Sequence, residues 1–227
     1  MAIPPNLGWT PARPPAPAPI EGQTVRLEPV DPARHARQLY EASQGADPIW
    51  TYLAYGPFPD LASFGTWLGG RAASKDPLAY AIVDRSTGAA RGMASFMRMV
   101  PADGVIEIGH IWFAPALQRT KQATEAIYLL ARTAFDELGY RRLEWKCDSL
   151  NEASRRAAAR FGFTFEGIFR RHMVVRGRNR DTAWFSIIDE EWPSCKAAFE
   201  AWLAPTNFGE EGRQRQSLAA LRASLEI

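Results

Sequence analysis

A glutamate and a histidine three residues apart on one predicted strand are the first candidates for chemistry. Val105 to Ala114 reads as a strand, and simple alternation places Glu107 and His110 on opposite faces. A glycine inside a strand often marks a bulge, so a bulge at Gly109 would bring both side chains to one side. There they could act as general bases. The alternative is structural: a glutamate at a solvated strand start, and a histidine satisfied by its neighbours.

The start of the following helix is a candidate anion site. Pro115 ends the strand because it removes a ladder donor, and a helix follows from about Thr120. Amides in the first turn of a helix have no helical partners and lie at the positive end of the dipole, which favours phosphate. The loop and first turn contain Gln118, Arg119, Thr120, Lys121, Gln122, Ala123 and Thr124. An ordinary strand–helix connection would explain the helix, but not two cations and an alanine at its start.

Asn151 and Ser154 form a second polar pair, at the start of a short predicted helix over residues 152–161. An asparagine side chain carries both a donor and an acceptor, so it can bond to an amide-bearing ligand. Asn151 could instead cap the helix, with Ser154 completing the first turn. The two roles are compatible.

Composition restricts the partners and the compartment. The chain has 227 residues, 46% of them hydrophobic, and a formal net charge of +2, which favours one domain with appendages and predicts neither nucleic acid nor a membrane as partner. No apolar run approaches the roughly 20 residues that span a bilayer, and the first residues lack the pattern of a secretory signal. Cys147 and Cys195 lie far apart without a metal-binding spacing. This predicts reduced thiols, no metal and a cytoplasmic protein.

Three segments are predicted along the chain. Residues 1–20 contain seven prolines and should form an extended arm. Residues 21–204 form the central domain. Residues 205–227 form an extension that carries an amphipathic helix over residues 213–226, with leucines along one side. Whether the arm and this helix build a homodimer is left open.

The central domain alternates strand and helix patterns. Strands are predicted at residues 24–29, 78–84, 91–100, 105–114, 143–147, 163–176 and 182–188, and helices at 32–43, 61–73, 120–138, 152–161 and 193–203. The helix at 120–138 is the clearest, because its apolar residues fall on one continuous stripe. This order predicts a mixed α/β sheet with parallel pairing only around the central crossover.

The order and spacing of these segments resemble the GNAT superfamily of acetyl-CoA-dependent N-acetyltransferases, and most closely its Rim-type (RimJ/RimL) branch, which acts on protein N-termini. The matching positions are Glu107-Ile108-Gly109, the loop Gln118 to Ala123 with Thr124-Glu125-Ala126, Asn151-x-x-Ser154 and Phe161-Gly162-Phe163. The resemblance implies a GNAT-like fold: a twisted, mostly antiparallel sheet of six or seven strands, splayed between its fourth and fifth strands and flanked by helices. One position departs from the family pattern, since Lys121 stands where the loop's first glycine belongs.

The resemblance also implies a co-substrate and the residues that serve it. Acetyl-CoA would place its pyrophosphate against residues 118–124 and its pantetheine amides against Asn151. Backbone amides near Ile111, Trp112 and Phe113 would face the thioester carbonyl. Glu107 would be the general base, with His110 as the second candidate. Ser154 would lie near the departing sulfur.

Aromatic residues before the second helix are candidates for the acceptor pocket, although such a cluster is equally typical of a core. They are Trp50, Tyr52, Tyr55 and Phe58. The last hairpin, with Phe169 to His172 and three arginines at its turn (Arg176, Arg178 and Arg180), could attract an acidic substrate or remain a solvated surface.

The sequence thus predicts an N-acetyltransferase that transfers the acetyl group directly to a primary amine in a ternary complex. The amine would be a protein N-terminus or a small molecule. Direct transfer is favoured because no Cys or Ser has an adjacent base and orienting group. The alternative is a non-catalytic acyl-CoA-binding sensor or partner protein that keeps the fold.

Overall fold

One twisted sheet organises the part of the chain that the computed structural model describes, residues 8–225. Its strands are β1 (Ile20–Glu21), β2 (Val25–Pro29), β3 (Leu78–Asp84), β4 (Ala90–Val100), β5 (Val105–Phe113), β6 (Arg142–Asp148), β7 (Thr164–Val175) and β8 (Arg178–Ile188). They lie in the order β1-β2-β3-β4-β5-β6-β8-β7. Neighbours are antiparallel except β5 and β6, which are parallel and joined by the central crossover helix.

Helices cover both faces of the sheet. They are α1 (Pro32–Ser43), α2 (Leu61–Ala72), α3 (Lys121–Arg132), α4 (Glu152–Arg160), α5 (Trp192–Leu203) and α6 (Leu218–Ala223). Helix α3 continues into a π-helical turn at Thr133–Glu137. Asp31 caps α1 by accepting from the Ala33 amide, with Pro32 at the first helical position, as the sequence predicts.

Two cores lie on opposite faces of the sheet. One packs β2 to β8 under α3 and α5 and includes Ile106, Ile108 and Leu130. The other lies under α1 and α2 and includes Trp50, Phe64 and Trp112. Both depend on apolar residues alternating along the strands. Because α1 and α2 pack on β3 and β4, they leave the same face of β5, β6 and β8 open.

The predicted mixed α/β, GNAT-like architecture is confirmed, with local corrections. The sheet has eight strands rather than six or seven, because Ile20–Glu21 pairs with β2 although proline-rich sequence precedes it. The predicted C-terminal helix over 213–226 is too long. Ser217 caps a helix of only six residues, and Phe208 pairs with Gln214 before it. Residue 226 lies outside the described residues.

Candidate active site

A gap opens where β5 and β6 part. The two strands pair only from Val105–Arg142 to Glu107–Glu144 within the described chain, and β5 then runs on to Phe113. A cavity of ≈ 1540 Å³ begins in this gap. It extends towards the start of α3 on one side and over β8 on the other. The splay expected between the fourth and fifth predicted strands is therefore the gap between β5 and β6.

A bulge re-aims the side chains of β5 beside this gap. Ser95 of β4 pairs with Gly109 and Met93 pairs with Trp112, so β5 carries one extra residue. The left-handed backbone lies at His110, with φ of 50°, one position beyond the predicted Gly109. Residue 109 must be glycine for a different reason: a Cβ there would lie 2.3 Å from the Met97 sulfur.

The bulge puts Glu107 and His110 on one face. Ile108 and Ile111 both pack towards α3, although three positions apart on a regular strand would place them on opposite faces. Glu107 and His110 consequently both lie on the open face and line the cavity.

Backbone amides of β5 face the gap. Ala114 donates its N–H to the Arg91 carbonyl of β4. Because antiparallel pairing alternates, the amides of Ile111 and Phe113 point away from β4 and Trp112 points towards it. Trp112 also lines the cavity, although its indole packs in the core under α1 and α2.

Helix α3 begins as a cradle of amides at the far end of the cavity. Thr120 is the N-cap and accepts a hydrogen bond from the Ala123 amide at 3.1 Å. Arg119 before it has φ of 60°, and the Gln118 side chain donates to the Phe113 carbonyl at 2.9 Å. Among the described residues, the amides of residues 119–122 donate to no protein group. These amides, at the positive end of α3, suit an anion.

Lys121 does not fill this cradle. Its ammonium lies 4.8 Å from the centre of the Phe208 ring, so the side chain extends towards the C-terminal segment. Phe208 is itself packed against Trp202. The departure from the family's glycine is therefore accommodated by residues that lie far along the sequence.

Arg160 adds a cation beside the same helix start. Its guanidinium donates to the Thr124 hydroxyl at 3.1 Å and lies 4.9 Å from the centre of the Trp202 ring. Burial lowers the pKa of Arg160 from its ordinary value. Arg160, Lys121 and Arg119 all line the cavity, so three cations surround the free amides.

Asn151 and Ser154 lie where the cavity passes α4. The Asn151 side-chain oxygen accepts from the Ser154 amide at 3.0 Å and so caps α4. The Asn151 amide nitrogen remains for a ligand, so the two roles that the sequence leaves open are compatible. Ser154 Oγ accepts from the Trp145 indole at 2.9 Å, and its hydroxyl is also within hydrogen-bonding reach of the Cys147 thiol.

Glu107 is held in a buried ion-pair cluster. Its carboxylate lies 3.0 Å from Lys146 Nζ and 3.4 Å from Arg98 Nε, while Lys146 also contacts Glu144 at 2.6 Å. Burial raises the pKa of Glu107, and the two cations oppose that rise. Glu107 is thus a better base than a solvated glutamate, but it is also partly engaged.

His110 is a neutral imidazole at pH 7. Burial, assisted by the neighbouring cations Arg71, Arg180 and Arg98, lowers the pKa of His110 to about 4. Its Nδ1 lies 3.2 Å from the Tyr55 hydroxyl. Burial raises the pKa of this tyrosine, so the hydroxyl keeps its proton and can donate it to His110.

The aromatic residues predicted for the acceptor divide between cavity and core. Tyr52 lines the cavity, and its hydroxyl donates to the Leu150 carbonyl across the opening at 3.1 Å. The Tyr55 ring packs against the His110 ring, with 5.6 Å between their centres. Trp50 and Phe58 do not line the cavity: Trp50 is 1% exposed, and both pack in the core under α2. Their spacing reflects packing.

Several cavity residues have no motif in the sequence. Lys146 and Asp148 alternate with buried residues on β6, and this pattern alone places them on the open face. Arg180 and His172 come from the last hairpin. The sequence predicts only that this hairpin could attract an acidic substrate, and does not single out either residue. Trp202 contributes from the end of α5 and Phe208 from the C-terminal extension, and no local signal identifies them.

No three His, Cys, Asp or Glu side chains cluster as metal ligands in the part of the chain that the structure describes. Within residues 8–225 no helix combines the length and hydropathy needed to cross a bilayer.

The splayed sheet and amide cradle define the class of protein, and comparison with known proteins agrees. The model of the "Acetyltransferase (GNAT) domain" matches residues 24–164. The chain therefore belongs to the GNAT family and is an acyltransferase. Acetyl-CoA is the co-substrate of that family.

Two solved structures and one curated protein are among its relatives. A GCN5-related N-acetyltransferase from Brucella melitensis is 49% identical, with a TM-score of 0.93 over 95% of this chain and 99% of that one. A probable acetyltransferase of the GNAT family from Chromobacterium violaceum is 48% identical, with a TM-score of 0.79 over 85% and 97%. "Putative ribosomal N-acetyltransferase YdaF" from Bacillus subtilis is 31% identical over 105 residues. That match covers 46% of this chain and spans only 57% of that protein's length.

Proposed function

We propose that this protein transfers the acetyl group of acetyl-CoA directly to a primary amine in a ternary complex. The observation that supports this most strongly is a continuous cavity. It joins the free amides at the start of α3, the gap between β5 and β6, and the open polar face of the sheet. Two substrates entering from opposite ends would meet beside the β5 bulge, which is the arrangement that direct transfer needs.

The residues at the α3 end fit a coenzyme A molecule. The amides of residues 119–122 would hold the pyrophosphate, with Arg119, Lys121 and Arg160 supplying positive charge. Lys121 is compatible because its side chain extends to Phe208. The pantetheine arm would pass Asn151 on its way to the gap.

The residues beside the gap fit the chemistry of acyl transfer. Acetyl-CoA supplies an acyl group that is already activated as a thioester. The amides of Ile111 and Phe113 would donate to the thioester oxygen. Glu107 would remove a proton from the acceptor ammonium, so that nitrogen bonds to the acyl carbon as the carbon–sulfur bond breaks. The departing thiolate would accept a hydrogen bond from Ser154 and take up the second proton that the acylated nitrogen loses, so that the products are the amide and the thiol of coenzyme A.

The name of the Bacillus subtilis relative favours an amine on a ribosomal protein, while the open cavity also admits a small amine. We propose a peptide or small-molecule amine as the acceptor, and the two sources are distinguishable by experiment. Peptide N-termini, amino acids, polyamines and aminoglycosides would be offered with acetyl-CoA, and both free thiol and acetylated product would be measured.

Binding and turnover test separate parts of this proposal. By calorimetry, coenzyme A should bind much more tightly than pantetheine, which lacks the phosphates. At 100 times its Kd, coenzyme A should add about 2.7 kcal/mol to the free energy of unfolding. Equal affinity for the two ligands would contradict the phosphate site. Tight binding of coenzyme A without acetylation of any amine would instead favour the non-catalytic sensor.

A further inference from the structure

Arg180 lies on the acceptor side of the cavity, beyond the end of β6. Asp148, the last residue of β6, pairs with Thr182 of β8, so β8 continues past its neighbour. Ala183 and Phe185 pack in the core under α3 and α5. The alternate residues Thr182 and Arg180 therefore occupy the open face, and both line the cavity.

The other cations near this face have partners within the protein. Arg71 lies over the Tyr55 and Trp67 rings, 5.1 and 5.7 Å from their centres. The ion pairs are Glu107 with Lys146 and Arg98, Glu144 with Lys146 and Arg142, and Glu166 with Arg142. Arg180 forms no ion pair with any described residue, and its buried Nε has no hydrogen-bond partner. A guanidinium offers five donors in a planar fork that fits a carboxylate or a phosphate. Arg180 presents that fork to the cavity unoccupied by protein.

Neither Asp181, the next residue along the chain, nor Asp148 of β6 forms an ion pair with Arg180. Asp181 is exposed and accepts hydrogen bonds from the Arg171 amide and the Asn179 side chain. Asp148 lines the cavity but accepts from the Leu150 amide at 2.9 Å. Within residues 8–225, the fork of Arg180 is left for a group that comes from outside the chain.

The two histidines of the cavity report a positive environment. Burial lowers the pKa of both His110 and His172, and the charged groups that lower it further are cations, Arg98 and Arg180 among them. An acceptor amine enters mostly as an ammonium. A lone ammonium would meet these like charges, whereas an anion on the same molecule would offset them.

We infer that the acetyl acceptor carries an anionic group, a carboxylate or a phosphate, close to its amine, and that Arg180 binds this group. The inference rests on the proposed acetyl transfer and names the substrate class for it. Arg180 is then a specificity-determining residue. A hydrogen-bonded charge pair of this kind changes kcat/KM by about 10- to 100-fold.

Matched pairs of acceptors test this directly. β-Alanine is compared with its amide, O-phosphoethanolamine with ethanolamine, and a peptide beginning Ala-Asp with one beginning Ala-Asn. The anionic member of at least one pair should have a kcat/KM about 10- to 100-fold higher. The preferred pair identifies carboxylate or phosphate, and free amine or peptide, as the source. Equal rates within every pair would overturn the inference while leaving acetyl transfer intact.

Variants assign the preference to one residue. Arg180→Gln should remove the difference within the preferred pair, mainly through a higher KM, and leave the neutral member nearly unaffected. Arg180→Lys should restore part of it, since a lysine keeps the charge but loses the fork. Arg178→Gln is the control, because Arg178 is exposed on the same strand and does not line the cavity. If Arg180→Gln slowed both members equally, Arg180 would not select the anion.

Failure of the proposed function is recognised separately. A protein that binds coenzyme A but acetylates none of these amines contradicts acetyl transfer, not the anion site. Calorimetric titration of the same pairs into the coenzyme A complex then decides the inference. Tighter binding of the anionic member, lost in Arg180→Gln, supports it. Binding of neither member, or of both equally, overturns it.

Discussion

Glu107 and His110 share one face of β5 but differ in charge and basicity at neutral pH. An acceptor ammonium has a pKa of about 8 to 10, so an imidazole with a pKa of about 4 is a poor match for its proton. Burial raises the pKa of Glu107, which brings it closer to the pKa of the acceptor ammonium. Glu107 is therefore the better candidate base, and His110 fits a hydrogen-bonding role beside Tyr55.

Glu107→Gln should lower kcat by about 10²- to 10⁴-fold and leave the Kd for coenzyme A unchanged, because the amide cannot take the proton. Steady-state kinetics and calorimetry measure both. Glu144→Gln is the matched control: it contacts the same Lys146 but does not line the cavity. Equal losses in the two variants would assign the effect to the ion-pair cluster instead of proton transfer.

His110 should make the protein sensitive to acid. Its pKa in the folded protein is about 4, below the unfolded value of 6.5, so the unfolded chain takes up the proton first as pH falls. Stability from this group is present above pH 6.5 and is lost between pH 6.5 and about 4, by about 3 kcal/mol. Urea unfolding at several pH values should show a shallower loss for His110→Asn than for the unchanged protein. If the free energy of unfolding fell equally with pH in both proteins, the lowered pKa of His110 would be contradicted.

At the scale of elements, local signals predict the scaffold and long-range contacts complete the site. The Asp31-Pro32 cap, the apolar stripe of α3 and the alternation of β3 and β4 are visible in sequence because each element carries its own pattern. The requirement for glycine at residue 109, the direction of Lys121 and the pairing of β1 depend on Met97, Phe208 and β2, none of which is a neighbour in sequence. No single-segment pattern records such contacts.

The start of α3 offers a prediction about how phosphate is held. If the free amides hold the pyrophosphate, Lys121→Gly should keep the Kd for coenzyme A within about 3-fold. Lys121→Glu should weaken it by about 10-fold, because the reversed charge repels phosphate beside the positive end of α3. Lys75→Glu, an exposed position outside the cavity, controls for net charge. Complete loss of binding in Lys121→Gly would show that the lysine makes an essential contact.

At the scale of the whole molecule, the N-terminal arm straps the closed end of the splayed sheet. The Ala12 amide donates to the Pro101 carbonyl beside the β4–β5 turn, and the Arg13 amide donates to the Leu138 carbonyl after α3. Both contacts lie next to the short parallel pairing of β5 and β6. Since that pairing covers only three residue pairs, the arm adds attachment beside a short junction of the sheet, while the opposite end stays open for ligands.

Trp9 is the anchor of this strap, and its removal should reduce stability without changing the active site. Its indole donates to the Ala102 carbonyl at 2.8 Å and packs on Gly104, where a Cβ would lie 2.4 Å from the ring. Trp9→Ala should lower the free energy of unfolding by about 1 to 3 kcal/mol, and Trp9→Phe by less, since only the hydrogen bond is lost. Urea unfolding measures this, with the Kd for coenzyme A unchanged.

The contact itself is tested by a double-mutant cycle with Gly104→Ala. The single change should destabilise the protein for two reasons: φ at residue 104 is 66°, and the new methyl group meets the Trp9 ring. In Trp9→Ala the ring is absent, so only the backbone strain and the contact with the Arg141 side chain remain. The double variant should therefore lose less than the sum of the two single losses. Strict additivity would mean that Trp9 and Gly104 do not touch in solution, and Trp9 would then not be the anchor of the strap.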